Sequence, residues 1–161
     1  MGPELLGRLL DQYAAPLELY ARQLCACPDD VVQEAFVELA KRRQSPDDVA
    51  AWLYRVVRNK AISASRSARR RKHYEAAAAE QRQSWFKATA DNALDAESAA
   101  AALETLASEG REVVVARVWG GLTFQQIARL VGTSDSTAHR RYEAALSILR
   151  DRLGIRCPKN D

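Results

Sequence analysis

The sequence is poor in the residues that punctuate sheets. Its 161 residues hold seven glycines and five prolines, and β-branched residues occur only in short runs. An all-α chain is therefore expected. The three cysteines, Cys25, Cys27 and Cys157, are an odd number in a chain without secretory features, which argues against a disulfide framework. The C-x-C pair with Cys157 and His73 offers four zinc-binding side chains. Zinc sites usually show paired C-x-x-C spacing, however, so cysteines buried in helices are the preferred reading, and neither a metal nor any other cofactor is expected. No apolar run approaches the ~20 residues that a membrane-spanning helix needs. No charged-then-apolar leader precedes a cleavage site. A cytoplasmic protein without membrane insertion is expected. Catalytic patterns are also missing. No Ser/His/Asp or Cys/His set, Gly-rich phosphate loop or carboxylate pair stands at productive spacing. The two histidines, His73 and His139, both lie among arginines. No enzyme is expected.

Hydrophobic residues make up 47% of the chain, but many are alanines, which favour helix and bury little area. The net charge is only +3, yet it is unevenly spread. Met1 to Ala40 is acidic. Val49 to Tyr74 contains no acid at all, and carries Arg55, Arg58, Lys60, Arg66, Arg69, Arg70, Arg71 and Lys72. From Glu75 to Glu109 acids return. Blocks of this kind point to separate surfaces for separate partners.

The stretch from Thr123 to Arg150 holds the clearest local signals. Thr123 and Gln126 form a capping-box pattern at a helix start. Phe124, Ile127, Ala128 and Val131 share one helical face. Gly132 suits a left-handed helix end. Ser134 is a good N-cap for a second helix about two residues later. So short a break between helices is a helix-turn-helix pattern, with Ala128 where the helices touch. The second helix opens with Ser136, Thr137, His139, Arg140 and Arg141, types that suit phosphates and base edges. With Ser134 they are the candidate readers of duplex DNA.

Earlier in the chain, Leu5 to Leu24 has helical periodicity, and Pro16 within it marks a kink or a boundary. Pro28-Asp29-Asp30 starts a helix whose core face holds Val31, Val32, Ala35, Phe36, Leu39 and Ala40, and Asp30, Gln33, Glu34 and Glu38 fall opposite. Ser45-Pro46-Asp47-Asp48 starts the next helix. There Trp52, Leu53, Val56 and Val57 face a core, Arg55, Arg58, Asn59 and Arg66 point outward, and Lys60 lies near the edge. An acid-free ridge of this length suits a nucleic-acid partner. His73 to Ala102 is too thinly apolar to build much core and reads as a linker. Leu103 to Trp119 is strongly apolar, with a break near Gly110. The expected organisation is two small helical domains, 1–72 and 103–161, joined by a linker over 73–102.

Taken together, these pieces resemble a bacterial sigma factor of the extracytoplasmic-function type, within the sigma-70 family. Three stretches carry the resemblance. Asp29 to Leu39 resembles the family's D-x-V-Q-E-x-F-x-x-L helix, Ala51 to Ala61 its A-W-L-Y-x-I-A-x-N helix, and Leu103 to Leu153 its C-terminal domain, including Arg111-Glu112-Val113. The resemblance implies a transcription initiation factor whose partners are core RNA polymerase and promoter DNA. It implies polymerase docking through Asp30, Gln33, Glu34 and Glu38. It implies −10 contacts from Trp52, Arg55, Arg58, Asn59, Lys60, Arg66, Arg69 and Arg70, and −35 contacts from Ser134, Ser136, Thr137, His139, Arg140 and Arg141. Whether an anti-sigma protein exists is left open. The alternative is a stand-alone helix-turn-helix regulator with a helical sensing or dimerising N-terminal domain. Two separate DNA surfaces and the Gln33/Glu34 helix favour the first reading, because a simple regulator needs only one such surface.

Overall fold

The computed structural model describes residues 2–74 and 101–154, and every regular element among them is a helix. The numbered helices are α1 (Pro3–Arg22), α2 (Pro28–Lys41), α3 (Val49–Tyr74), α4 (Ser108–Val118), α5 (Phe124–Val131) and α6 (Asp135–Leu153). A further helical stretch over 101–104 leads into α4. Of the expected linker, residues 75–100 lie outside the described part.

Local chemistry accounts for most of the helix ends. α2 has Pro28 at its first position, Asp29 and Asp30 in its first turn and Lys41 in its last, which complements the helix dipole at both ends. At the start of α3, Asp48 Oδ1 accepts a hydrogen bond from the Ala51 amide at 2.9 Å. Pro16 is not a boundary, because α1 runs through it. Proline removes one backbone hydrogen bond there. Burial of Leu17, Tyr20 and Ala21 just after it offsets that loss. The break expected near Gly110 falls earlier, at residues 105–107, where the Leu106 amide bonds the Leu103 carbonyl. Gly110 itself lies inside α4. A Cβ there would stand 3.4 Å from Ala145 Cβ, an ordinary contact where α4 packs on α6.

The core does not stop between the two halves. Leu17, Tyr20, Phe36, Leu39, Leu53 and Val57 from α1–α3 join one apolar cluster with Val113, Val115, Leu122 and Ile127. α1 packs on α4, and α3 on α5. A smaller cluster of Leu103, Leu106, Val114 and Ala145 closes the C-terminal half. Residues 112–116 of α4 are all buried, and the helix emerges only afterwards. Val118 and Trp119, expected to be apolar core positions, are consequently 53% and 40% exposed. Ala40 is also exposed, at the far end of the α2 core face.

Gly120 occupies the tightest point of the shared packing. A Cβ there would lie 2.5 Å from the Ala116 carbonyl oxygen and 2.6 Å from the Tyr54 hydroxyl. Only glycine fits between α4 and α3 at this position.

Candidate nucleic-acid interface

The hairpin of α5 and α6 is held by bonds close in sequence. Thr123 Oγ1 accepts from the Gln126 amide at 3.2 Å, and Gln126 Oε1 accepts from the Thr123 amide at 2.6 Å. This reciprocal pair satisfies two amides that a helix start otherwise leaves unpaired. Gly132 ends α5 in the left-handed region, with φ 73°, and the Thr133 amide returns to the Ala128 carbonyl at 2.9 Å. Ser134 then caps α6 by accepting from the Thr137 amide at 3.2 Å, and its hydroxyl donates to Thr137 Oγ1 at 2.9 Å. Ala128 and Ala138 are both buried in the shared cluster. Phe124 braces the pair. Its ring centroid lies 4.8 Å from that of His139 and 5.4 Å from that of Tyr142, and the Arg117 guanidinium sits 4.9 Å over it.

This arrangement divides the six candidate readers on α6 and its cap. Ser134 and Thr137 are engaged in capping. His139 packs edge-on to Phe124 and lies 4.0 Å from Glu143. Arg141 is half-buried and paired with Glu109 of α4 at 3.1 Å. Ser136 and Arg140 share the exposed face, one turn apart. An exposed helix face of this kind, presented by a capped N-terminal turn, can enter a major groove.

The acid-free helix α3 meets only part of its expectation. Arg55, Asn59, Arg66, Arg69 and Arg70 are exposed. Arg70 donates to Ser67 Oγ at 3.3 Å, a bond to a neutral partner within the ridge. Trp52 is half-buried beneath the Arg42 guanidinium, 5.2 Å from its ring centroid. Arg42 was not among the candidates, although the Lys41-Arg42-Arg43 block was its signal. Arg58 does not point outward. It turns into the other half of the chain, where its Nε lies 2.7 Å from Glu112 Oε1. Glu112 is nearly buried, and a buried carboxylate needs a cation and hydrogen-bond donors. The Tyr20 hydroxyl is a second donor, at 2.6 Å. Burial alone would lower the Arg58 pKa, but the hydrogen bond and charge of Glu112 outweigh it, and the net shift is upward. Burial first and Glu112 second push the Tyr20 phenol well above its usual range.

Lys60 is not a free member of the basic ridge either. It bridges Glu38 at 2.9 Å and Glu34 at 3.0 Å on α2, and its pKa is raised by those two hydrogen bonds. Asp30, Gln33, Glu34 and Glu38 are all exposed, opposite the buried Val31, Val32, Ala35, Phe36 and Leu39. The acidic face is therefore assembled as expected, with Lys60 as an internal counter-charge. Between the halves, a cleft of about 300 Å³ is lined by Asp48, Trp52, Arg55, Gln126 and Arg129 among others. Gln126 Nε2 donates to Asp48 Oδ2 across it.

Cys25 and Cys27 are half-buried in the connection between α1 and α2 rather than buried within a helix. Burial pushes the Cys25 thiol up to about 11. Among the described residues, no group of three or more possible metal ligands occurs. The Cys157 and His73 side chains lie outside that part. No helix among the described residues is long and apolar enough to cross a membrane.

Comparison with known proteins assigns both halves. Sigma-70 region 2 matches residues 9–71, and sigma-70 region 4 matches residues 96–149. The ECF RNA polymerase sigma factor SigL of Mycobacterium tuberculosis is 33% identical over 156 residues, covering 91% of this chain and 87% of that protein. The chain belongs to the sigma-70 family, as a sigma factor of the extracytoplasmic-function type. The probable RNA polymerase sigma factor RfaY of Xanthomonas campestris pv. campestris is 32% identical over 137 residues, which is 80% of this chain and 34% of RfaY. In fold, this sigma factor is similar to RpoE of Bartonella quintana, solved with the anti-sigma factor NepR. That match has a TM-score of 0.74 at 20% identity and covers 97% of this chain and all of the other. It is also similar to CnrH in complex with the cytosolic domain of CnrY, with a TM-score of 0.59 at 23% identity, over 97% and 92% of the two chains. The region 2 match makes the N-terminal half a sigma domain rather than a sensing or dimerising module, so the stand-alone regulator is not favoured. The chain is a transcription initiation factor of the class that directs RNA polymerase to promoters.

Proposed function

We propose that this sigma factor works through three surfaces. The exposed face of α2, with Asp30, Gln33, Glu34 and Glu38, docks on core RNA polymerase. The ridge of Trp52, Arg55, Asn59, Arg66, Arg69 and Arg70 on α3 engages the −10 element, joined by Arg58 and Lys60 when their present partners release them. The exposed start of α6 reads the −35 element as duplex, Ser136 and Arg140 facing the groove, His139 and Arg141 at its margins, and Ser134 and Thr137 setting the helix start. The domains run over 1–72 and 103–161, with the linker over 73–102. The factor acts in the cytoplasm, performs no catalysis of its own, and is a candidate for control by an anti-sigma protein, as the structurally similar RpoE was solved with one.

The observation that carries this reading is the pairing of two unlike surfaces in one chain. One is an acidic helix face backed by core, and the other a doubly capped hairpin presenting Arg140. Opening DNA needs cations that track phosphates and aromatic rings that capture bases, and the α3 ridge offers both. The test is run-off transcription with purified core polymerase on genomic fragments, with transcript starts mapped. Starts clustered behind a shared pair of upstream elements are expected. Random starts, or none above core enzyme alone, would refute it.

A further inference from the structure

Lys60 stands between the two surfaces that the N-terminal half presents. It belongs to α3, yet its ammonium lies 2.9 Å from Glu38 Oε1 and 3.0 Å from Glu34 Oε2 of α2. Adjacent residues on a helix point ~100° apart, so Lys60 sits about a quarter-turn round from Asn59, on the flank of α3 that meets α2. Its four-carbon stem is flexible and its ammonium is a compact point charge, so the charge can swing to either side.

Glu34 and Glu38 are two of the three carboxylates on the proposed docking face, Asp30 being the third. An acidic face suits a cationic partner surface. Both acids are exposed, so a partner's lysine or arginine can reach them, but it meets them already neutralised from within the chain.

We propose that Lys60 is a shared counter-ion, which competes with the docking partner's cations for Glu34 and Glu38 and passes its charge to promoter DNA once they displace it. The inference rests on the docking and −10 assignments above. In the free chain the bridge lowers the attraction of the acidic face for a cation. In the docked chain Lys60 lies beside arriving cations, and like charges repel. Nearby phosphates relieve that repulsion. Lys60 therefore opposes docking alone and favours DNA once docking has occurred. By linkage, each of the two binding events strengthens the other.

The sign of one substitution separates this role from simpler ones. A residue that merely braces α2 against α3 weakens docking when it is removed. A plain −10 contact leaves docking unchanged. A competing counter-ion makes docking tighter. The full-length chain carrying a fluorescent label is titrated with core polymerase in the absence of DNA, with helix content followed by circular dichroism. Exposed ion pairs are weak, so Lys60→Gln should bind core about two- to tenfold more tightly. In a chain already carrying Glu34→Gln and Glu38→Gln, the same substitution should change nothing. Holoenzyme with Lys60→Gln should bind a promoter fragment mapped by run-off transcription more weakly, with its logarithmic salt slope lower by about 0.7–0.9. If Lys60→Gln loses helix content, Lys60→Met, which keeps the packed stem, carries the test. Equal or weaker core binding by the helical variant overturns the counter-ion role, and so does a gain that persists without the two acids. Unchanged promoter affinity and salt slope overturn the transfer of charge to DNA. The core titration needs no promoter and judges the competition by itself. If neutralising Glu34 and Glu38 in the Lys60→Gln chain leaves core binding undiminished, the docking reading itself fails and the proposal falls with it.

Discussion

The division of labour between Arg140 and Arg141 gives the sharpest test of the α6 surface. Adjacent helical residues point ~100° apart, so the two cannot serve one base. Arg140 is exposed on the same face as Ser136, whereas Arg141 is half-buried and 3.1 Å from Glu109. Arg140 is therefore placed to meet a base edge, and Arg141 to hold α6 against α4 and meet a phosphate. A bidentate guanine contact discriminates by about 1–3 kcal/mol, roughly a 5- to 150-fold preference over the wrong base. Arg140→Ala should erase that preference at one −35 position and leave the others ranked as before. A phosphate contact contributes about 0.9 to the logarithmic salt slope, so Arg141→Ala should flatten the slope by about that amount, or roughly three- to fourfold in affinity between 50 and 200 mM salt. Its ion pair with Glu109 is partly solvated, so the stability loss should be no more than about 1 kcal/mol. The assay is a salt titration of reconstituted holoenzyme on consensus DNA and on a set of single −35 substitutions. If Arg140→Ala keeps the full ranking and Arg141→Ala reshuffles it, the assignment is reversed. If both keep the ranking and the slope, α6 is not the reader.

Two further outcomes are expected. Replacing Gln33 and Glu34 together with alanine should weaken co-elution with core polymerase and leave the melting curve within about 1 kcal/mol of wild type, since both are exposed and the Lys60 bridge is a surface pair; undiminished co-elution removes α2 as the docking face. Gly120→Ala should lower the unfolding free energy, read from urea titration, by about 1–3 kcal/mol through overpacking. Gly121→Ala has open space, but a φ of 64° costs a non-glycine residue about 1–2 kcal/mol. A Gly120→Ala variant as stable as wild type would contradict the close approach of Tyr54 and the Ala116 carbonyl.

What was legible in the sequence was local. The Thr123/Gln126 box, the left-handed Gly132 and the Ser134 cap each involve partners within a few residues, so residue type and spacing suffice to find them. The acidic face of α2 was legible for the same reason, because one helical period sorts Val32 and Phe36 from Gln33 and Glu34. What was not legible spans the chain. Arg58 looked like any outward arginine on α3, and nothing near it in sequence announces Glu112. Lys60 read as part of a basic ridge because its compensating acids lie on another helix. Val118 and Trp119 fit the apolar pattern of α4 and still emerge from the core, since periodicity does not say where a neighbouring helix ends.

The capping scheme of the hairpin has a consequence for how such a protein changes over time. Thr123, Gln126, Gly132, Ser134 and Thr137 set where α6 begins and how it crosses α5, and Phe124 fixes its roll. Ser136 and Arg140 take no part in that bracing. If α6 reads DNA as proposed, geometry and recognition are written in different letters of the same short word. On the proposed reading of α6, substitutions at the exposed positions would alter which promoter is read without disturbing how the helix is presented, so new specificities could be sampled at little cost in stability. A repertoire of factors that answer to different promoters is what such a separation allows.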